Sequence, residues 1–82
     1  MTTHEIRQAV VRVLCDVAPE VRPETLDPTA NLRDTLDLDS VDFMSFVVGL
    51  HAALGVDVPE ADYGQLASLD ACVAYLAAKR GA

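Results

Sequence analysis

One stretch of this 82-residue chain gathers the groups that could do chemistry: Leu36-Asp37-Leu38-Asp39-Ser40-Val41-Asp42-Phe43. It sets one hydroxyl among three carboxylates at the point where an apolar, helix-periodic segment begins. The residue types admit two readings. In the plainer one, Asp39 or Ser40 caps the amides left without partners at a helix start, and Asp42 in the first turn complements the positive end of the helix dipole. In the other, Ser40 stands exposed at the junction, where a phosphodiester added to its hydroxyl faces unpaired amides and that same positive end. A serine nucleophile is not indicated. No Gly-x-Ser-x-Gly elbow surrounds Ser40, and neither His4 nor His51 lies beside it in sequence. His51 falls further along the same helix and reads as a surface residue. Asp37 and Asp39 do not open an EF-hand, because the loop's glycine position holds Asp42 and its terminal glutamate position holds Val48. No resident metal is expected. With no base, metal cluster or sizeable pocket in prospect, an enzymatic role is disfavoured.

Five segments must position this stretch. Thr3, with Glu5 in the first turn, opens a periodic run of Ile6, Val10, Val13, Leu14 and Val17 that Pro19 closes; Arg7 and Arg12 fall on its solvent side. From Pro19 to Asp39 the chain turns to Pro23, Pro28, Asn31 and scattered acids. A connection this long should be tied down, and the isolated Val21, Leu26, Leu32, Leu36 and Leu38 read as its anchors. A second helix runs from Asp39-Ser40 to about Leu54, with Gly55 as a left-handed cap. Pro59 suits the first position of a short third helix through Tyr63, ended by Gly64. Ser68 caps a fourth, with Leu69, Cys72, Val73, Leu76 and Ala77 inward and Lys79 and Arg80 near its C-terminal end. The expectation is an all-α domain over 1–82, a four-helix bundle with a long first loop and a short third helix. The second helix carries two apolar stripes. Phe43, Phe46, Val47, Leu50 and Leu54 follow the spacing of a buried face, while Val41, Met44 and Val48 follow it on another side. That second stripe is either a docking surface or is covered by the long loop.

Composition narrows the setting. Hydrophobic residues make up 51% of the chain, yet four are aromatic and none is Trp, so the core must be built from Leu, Val and Ala. The net charge is −7, and every fully charged residue from Asp34 to Ala78 is an acid. Nucleic acid is thereby disfavoured, and a basic protein surface is the natural partner. Cys15 and Cys72 stand far apart within apolar stretches and read as buried thiols of a reducing compartment. The N-terminus lacks a signal-peptide pattern and no apolar run approaches the roughly 20 residues of a membrane span, which points to a cytoplasmic monomer.

Leu38-Asp39-Ser40-Val41-Asp42 resembles the Asp-Ser-Leu/Met/Val-Asp signature of acyl carrier proteins. The resemblance extends along nearly the whole chain: first helix, long loop with Leu32 ahead of the motif, serine-headed second helix, Val58-Pro59 before a short third helix, and Leu69-Asp70-Ala71-Cys72-Val73-Ala74-Tyr75-Leu76 as the last. It implies that Ser40 receives a 4′-phosphopantetheine arm from coenzyme A through a separate phosphopantetheinyl transferase, whose complex supplies the magnesium. The arm's thiol then holds acyl groups as thioesters for enzymes of fatty-acid, polyketide or related lipid synthesis. Asp39 and Asp42 would flank Ser40 for transferase docking, and Val41, Met44, Ser45 and Val48 would form the face that partner enzymes read. Two departures stand out. Leu38 occupies a position where such carriers usually have a small residue, and after Asp42 the helix carries no acid, with Ser45, Val48, His51 and Ala52 where acids are common. Docking should therefore be more apolar than in a general fatty-acid carrier, as suits a dedicated pathway. The start at Met1 and the end at Ala82 suggest a stand-alone carrier, although a domain excised from a multienzyme would look the same. An aminoacyl or peptidyl carrier shares the modification, although the Asp before Ser40 favours the acyl type. A helical interaction module that is never modified would keep Ser40 as a cap.

Overall fold

The computed structural model describes residues 1–81, and every regular element among them is helical. The first helix, α1, spans Thr3–Val17. Thr2 caps it, one residue ahead of the expected start: its hydroxyl accepts the Glu5 amide at 3.1 Å, and the Glu5 carboxylate accepts the Thr2 amide at 2.8 Å. This reciprocal pair satisfies two orphan donors, and it holds the Glu5 carboxyl below its ordinary value. One face, Ile6, Ala9, Val10, Val13 and Leu14, is buried, and the helix stops just before Pro19.

The long connection is more structured than its composition implies. Pro23–Thr25 makes a single 3-10 turn, and Leu32–Thr35 forms a one-turn helix, α2, capped by Asn31. Four residues are too few for periodicity to reveal. The aliphatic anchors behave as expected. Leu32 is fully buried in the main core, Val21 and Leu38 join Ala18 in a small satellite core at the end of α1, and Leu26 and Leu36 are half-buried. Two backbone bonds fasten the loop across the molecule, from the Leu32 amide to the Ala67 carbonyl at 2.7 Å and from the Asp70 amide to the Pro28 carbonyl at 3.0 Å.

Helix α3 covers Ser40–Leu54 and ends at Gly55 in the left-handed conformation, φ 68°, which glycine adopts without steric cost. Its face of Phe43, Phe46, Val47, Leu50 and Leu54 is buried. Where α1 and α3 cross, Gly49 allows close approach: a Cβ added there would stand 2.5 Å from Val13 Cγ1.

The expected third helix differs from its forecast. Pro59 is the cap rather than the first helical residue, and a 3-10 helix runs over Glu60–Leu66, straight through Gly64. Gly64 does not take the positive φ that would end a helix. The chain continues because Leu66, two residues on, is fully buried in the core. Helix α4, Leu69–Arg80, begins under the Ser68 cap and closes at Gly81. It buries the five residues expected and Tyr75 as well, whose hydroxyl donates to Asp62 at 2.6 Å and ties the 3-10 helix to α4. Burial, then that hydrogen bond to a carboxylate, push the Tyr75 phenol up to about 12. Arg80 donates to the Leu54 carbonyl, joining the ends of α3 and α4.

Two residues add to or depart from expectation. Arg7 lies on the solvent side and there pairs with Asp70 at 2.7 Å, a contact 63 positions apart that no local pattern reveals. With both partners well exposed, it contributes at most about 1 kcal/mol. Cys72 is fully buried, and burial pushes its thiol up to about 12. Cys15 is only half-buried, its sulfur 4.0 Å from the Val21 carbonyl, because it lies on the flank of α1 beside the loop. No helix among the described residues is long and apolar enough to cross a membrane.

The α1–α3 crossing yields a test. Replacing a mid-helix glycine by alanine ordinarily stabilises by about 1 kcal/mol. Gly49→Ala should instead lower stability, by about 1 kcal/mol or more in urea unfolding, because overpacking against the stiff Val13 outweighs the propensity gain.

Candidate attachment site at the start of α3

The turn leading into α3 is built without glycine. The Leu38 amide bonds to the Arg33 carbonyl at 3.0 Å and the Leu36 amide to the Leu32 carbonyl at 2.9 Å, so α2 closes in a Schellman-type turn. Its left-handed position is Asp37, at φ 54°, one of the few residue types that tolerate this conformation. The turn drives Leu38 into the satellite core. The large residue that set this chain apart in sequence is thus an internal anchor and not part of a docking face.

Asp39 follows as the cap. Its carboxylate accepts the Asp42 amide at 2.8 Å, and Asp42 returns a carboxylate oxygen to the Asp39 amide at 3.4 Å. The first helical carbonyl belongs to Asp39 too, accepting from Phe43 at 2.9 Å. Asp39 and Ser40 were equal candidates for the cap, and the structure gives the role to Asp39. Ser40 becomes the first helical residue, exposed, with its hydroxyl bonded to no described residue. The amides of Ser40 and Val41 find no acceptor among the described residues and lie at the positive end of α3. Asp37 and Asp39 are exposed and Asp42 is half-buried.

Beside this terminus the second stripe lies open. Val41 is 72% exposed, Met44 48% and Val48 60%, and Ser45 is exposed between them, so the loop does not cover it. The stripe borders an open groove of about 390 Å³ whose apolar lining is Met44, Val47, Val48, Val58, Pro59 and Tyr63, with His51 and Asp57 completing it. Tyr63 joins this groove to the core: its hydroxyl reaches the Met44 sulfur at 3.6 Å, and its ring packs edge-on against Phe43, centroids 5.4 Å apart, with Phe43 tilted against Phe46 at 6.0 Å. The Arg33 guanidinium lies 5.5 Å from the Phe43 ring centroid. The part of Tyr63 and Arg33 beside the site had no periodic signature, since both sit in short or irregular segments. His51 is exposed and faces Asp57 at 3.0 Å. No group of three His, Cys, Asp or Glu among the described residues could hold a metal ion.

Fold and site together define a small helical domain that presents one unbonded hydroxyl at a helix start. Its fold is that of the acyl carrier protein from Enterococcus faecalis, whose solved structure it matches with a TM-score of 0.81 over 96% of this chain and 99% of that one, at 24% identity. Residues 5–76 match the family described as phosphopantetheine attachment site, and the chain belongs to that family. Among its relatives are acyl carrier protein 2, mitochondrial, of Arabidopsis thaliana, 31% identical over 71% of this chain and 46% of that protein. The mitochondrial acyl carrier protein of Neurospora crassa is 26% identical over 88% of this chain and 54% of its own length. The chain thus spans about half the length of these curated relatives.

Capping and display are separable by mutation. Asp39→Ala should cost about 1 kcal/mol of stability, as loss of a helix cap does. Ser40→Ala should leave stability within about 0.5 kcal/mol of the parent, as for a surface change that removes no bond. Urea unfolding of both variants checks this; the reverse order would return the cap to Ser40.

Proposed function

We propose that this chain is an acyl carrier protein in which Ser40 bears the 4′-phosphopantetheine arm. The observation that carries the reading is the division of labour at α3: Asp39 does the capping, so the Ser40 hydroxyl is exposed and unbonded. The group fits this end of the helix. Its phosphodiester anion would meet two unpartnered amides and the positive pole of α3. When bound, the arm supplies a thiol that holds acyl groups as thioesters.

Attachment forms a bond from Ser40 Oγ to phosphorus as the pyrophosphate bond of coenzyme A breaks; the adenosine bisphosphate leaves and the hydroxyl proton passes to a base of the transferase. The chain supplies position rather than catalysis. Asp39 and Asp42 brace the backbone on both sides of Ser40, and their negative charge, with that of Asp34 and Asp37, steers a basic transferase surface. Partner enzymes read Val41, Met44, Ser45 and Val48, a face with no acid beyond Asp42, which supports a dedicated acyl pathway over general fatty-acid synthesis. The chain acts as a single domain over 1–82 and as a carrier without activity of its own. Its unpaired Cys15 and Cys72 suit a reducing compartment, which we take to be the cytoplasm.

Incubation with coenzyme A, magnesium and a broad-specificity transferase should raise the intact mass by one phosphopantetheinyl group. Ser40→Ala should abolish the gain. No gain, or one that persists in Ser40→Ala, sinks the assignment. Partner affinity of the loaded protein should fall only slightly as salt is raised from low to high ionic strength, and about tenfold or more in Val48→Asp, which sets a charge in the apolar strip. A steep loss with salt alone would show that charge dominates docking.

A further inference from the structure

Arg33 is the one Lys or Arg between residues 23 and 78, and Asp34, Asp37, Asp39 and Asp42 all follow it within nine positions. With that company a surface ion pair is the ordinary outcome. Arg33 makes none with a carboxylate among the described residues. Arg7 pairs with Asp70 and Arg80 with the Leu54 carbonyl, whereas Lys79, like Arg33, lies over an aromatic ring, that of Tyr75. The Arg33 guanidinium is instead parked against Phe43, a ring that packs on Tyr63 and Phe46 and is itself buried. Phe43 is three residues after Ser40, about 4.5 Å along the helix axis, so the guanidinium rests on a side chain of the turn that starts with Ser40. Because Arg33 is itself exposed, its contact with the ring is worth only about 0.5–1 kcal/mol, too little to prevent the side chain from turning to an anion. Its planar fork of donors matches phosphate oxygens.

The acids favour a cationic partner for such an anion. An arm on Ser40 brings a negative phosphodiester next to Asp39 and Asp42, and each like charge at about 4 Å repels by about 1 kcal/mol even in water. The two free amides offset part of this, and Arg33 is the full positive charge that the chain places nearby. We propose that Arg33 binds the phosphodiester of the attached arm, a positioning residue that sets the arm's first atoms along the Phe43 side of α3. This rests on the reading of Ser40 as the attachment site.

The test uses the full chain, loaded with coenzyme A and a transferase and confirmed by mass, as wild type, Arg33→Gln and Arg33→Lys. On loading, the wild-type Arg33 Nε–H resonance should shift, and its exchange with water should slow about two- to fivefold, the factor given by an exposed ion pair of ordinary strength. The phosphorus resonance should respond to added salt in the wild type and lose that response in Arg33→Gln. Arg33→Lys should retain part of it, as a point charge in place of a fork. Matching amide spectra of the unloaded proteins confirm that the fold is intact, and the Nε–H measurement needs no variant. An Arg33 Nε–H signal unchanged by loading, or a phosphorus resonance with the same position and salt response in wild type and Arg33→Gln, overturns the proposal. Slower loading of Arg33→Gln with an unaltered phosphorus signal would place Arg33 in transferase docking and also overturn it. Failure of the wild type to load at all defeats the Ser40 reading instead.

Discussion

At the start of α3 two carboxylates three residues apart bond each other's backbone amides, and this exchange constrains what every nearby group can do. A helix terminus has orphan amides that some acceptor must satisfy. Because Asp39 and Asp42 do so, the adjoining serine is freed from structural duty while its backbone is held in helical geometry. Had Ser40 been the cap, its hydroxyl would have been engaged as an acceptor and shielded by the first turn. The tight turn at Asp37 and the buried Leu38 serve the same end, fixing the approach of the chain so that Asp39 arrives in capping geometry.

Helix α3 therefore has two jobs on different sides. Its aromatic and aliphatic face closes the core against α1, with Gly49 letting α1 come close. The stripe of Val41, Met44 and Val48 is left to solvent. A domain can carry a small apolar strip of this kind beside abundant surface charge, and the net charge of −7 provides it. On the proposed reading, the acids clustered ahead of α3 would give long-range steering and the aliphatics along it short-range contact.

The helices with a long buried face were legible because Ile6, Val10, Val13 and Leu14, or Phe43, Phe46, Val47 and Leu50, recur at the helical period. The same rule is silent on α2, which has one turn. It misplaced the end of the 3-10 helix because a glycine can end a helix only by adopting positive φ, and whether Gly64 does so depends on the burial of Leu66. Pairings such as Arg7 with Asp70 and Arg33 with Phe43 join distant segments and leave no local trace. At the site itself Ser40 and Asp39 looked equivalent as caps. The discriminating sign was present: a capping box needs a side-chain acceptor three residues on, which Asp42 provides for Asp39 and Phe43 cannot provide for Ser40.

The central claim is that the chain works through a group fixed to Ser40. Fragmentation mass spectrometry of the protein purified from its own host tests it most directly. The account predicts that the peptide containing Ser40 carries the phosphopantetheine arm, with an acyl group on a fraction of the molecules. Host protein whose Ser40 is always unmodified, or an arm found on another residue, would contradict it.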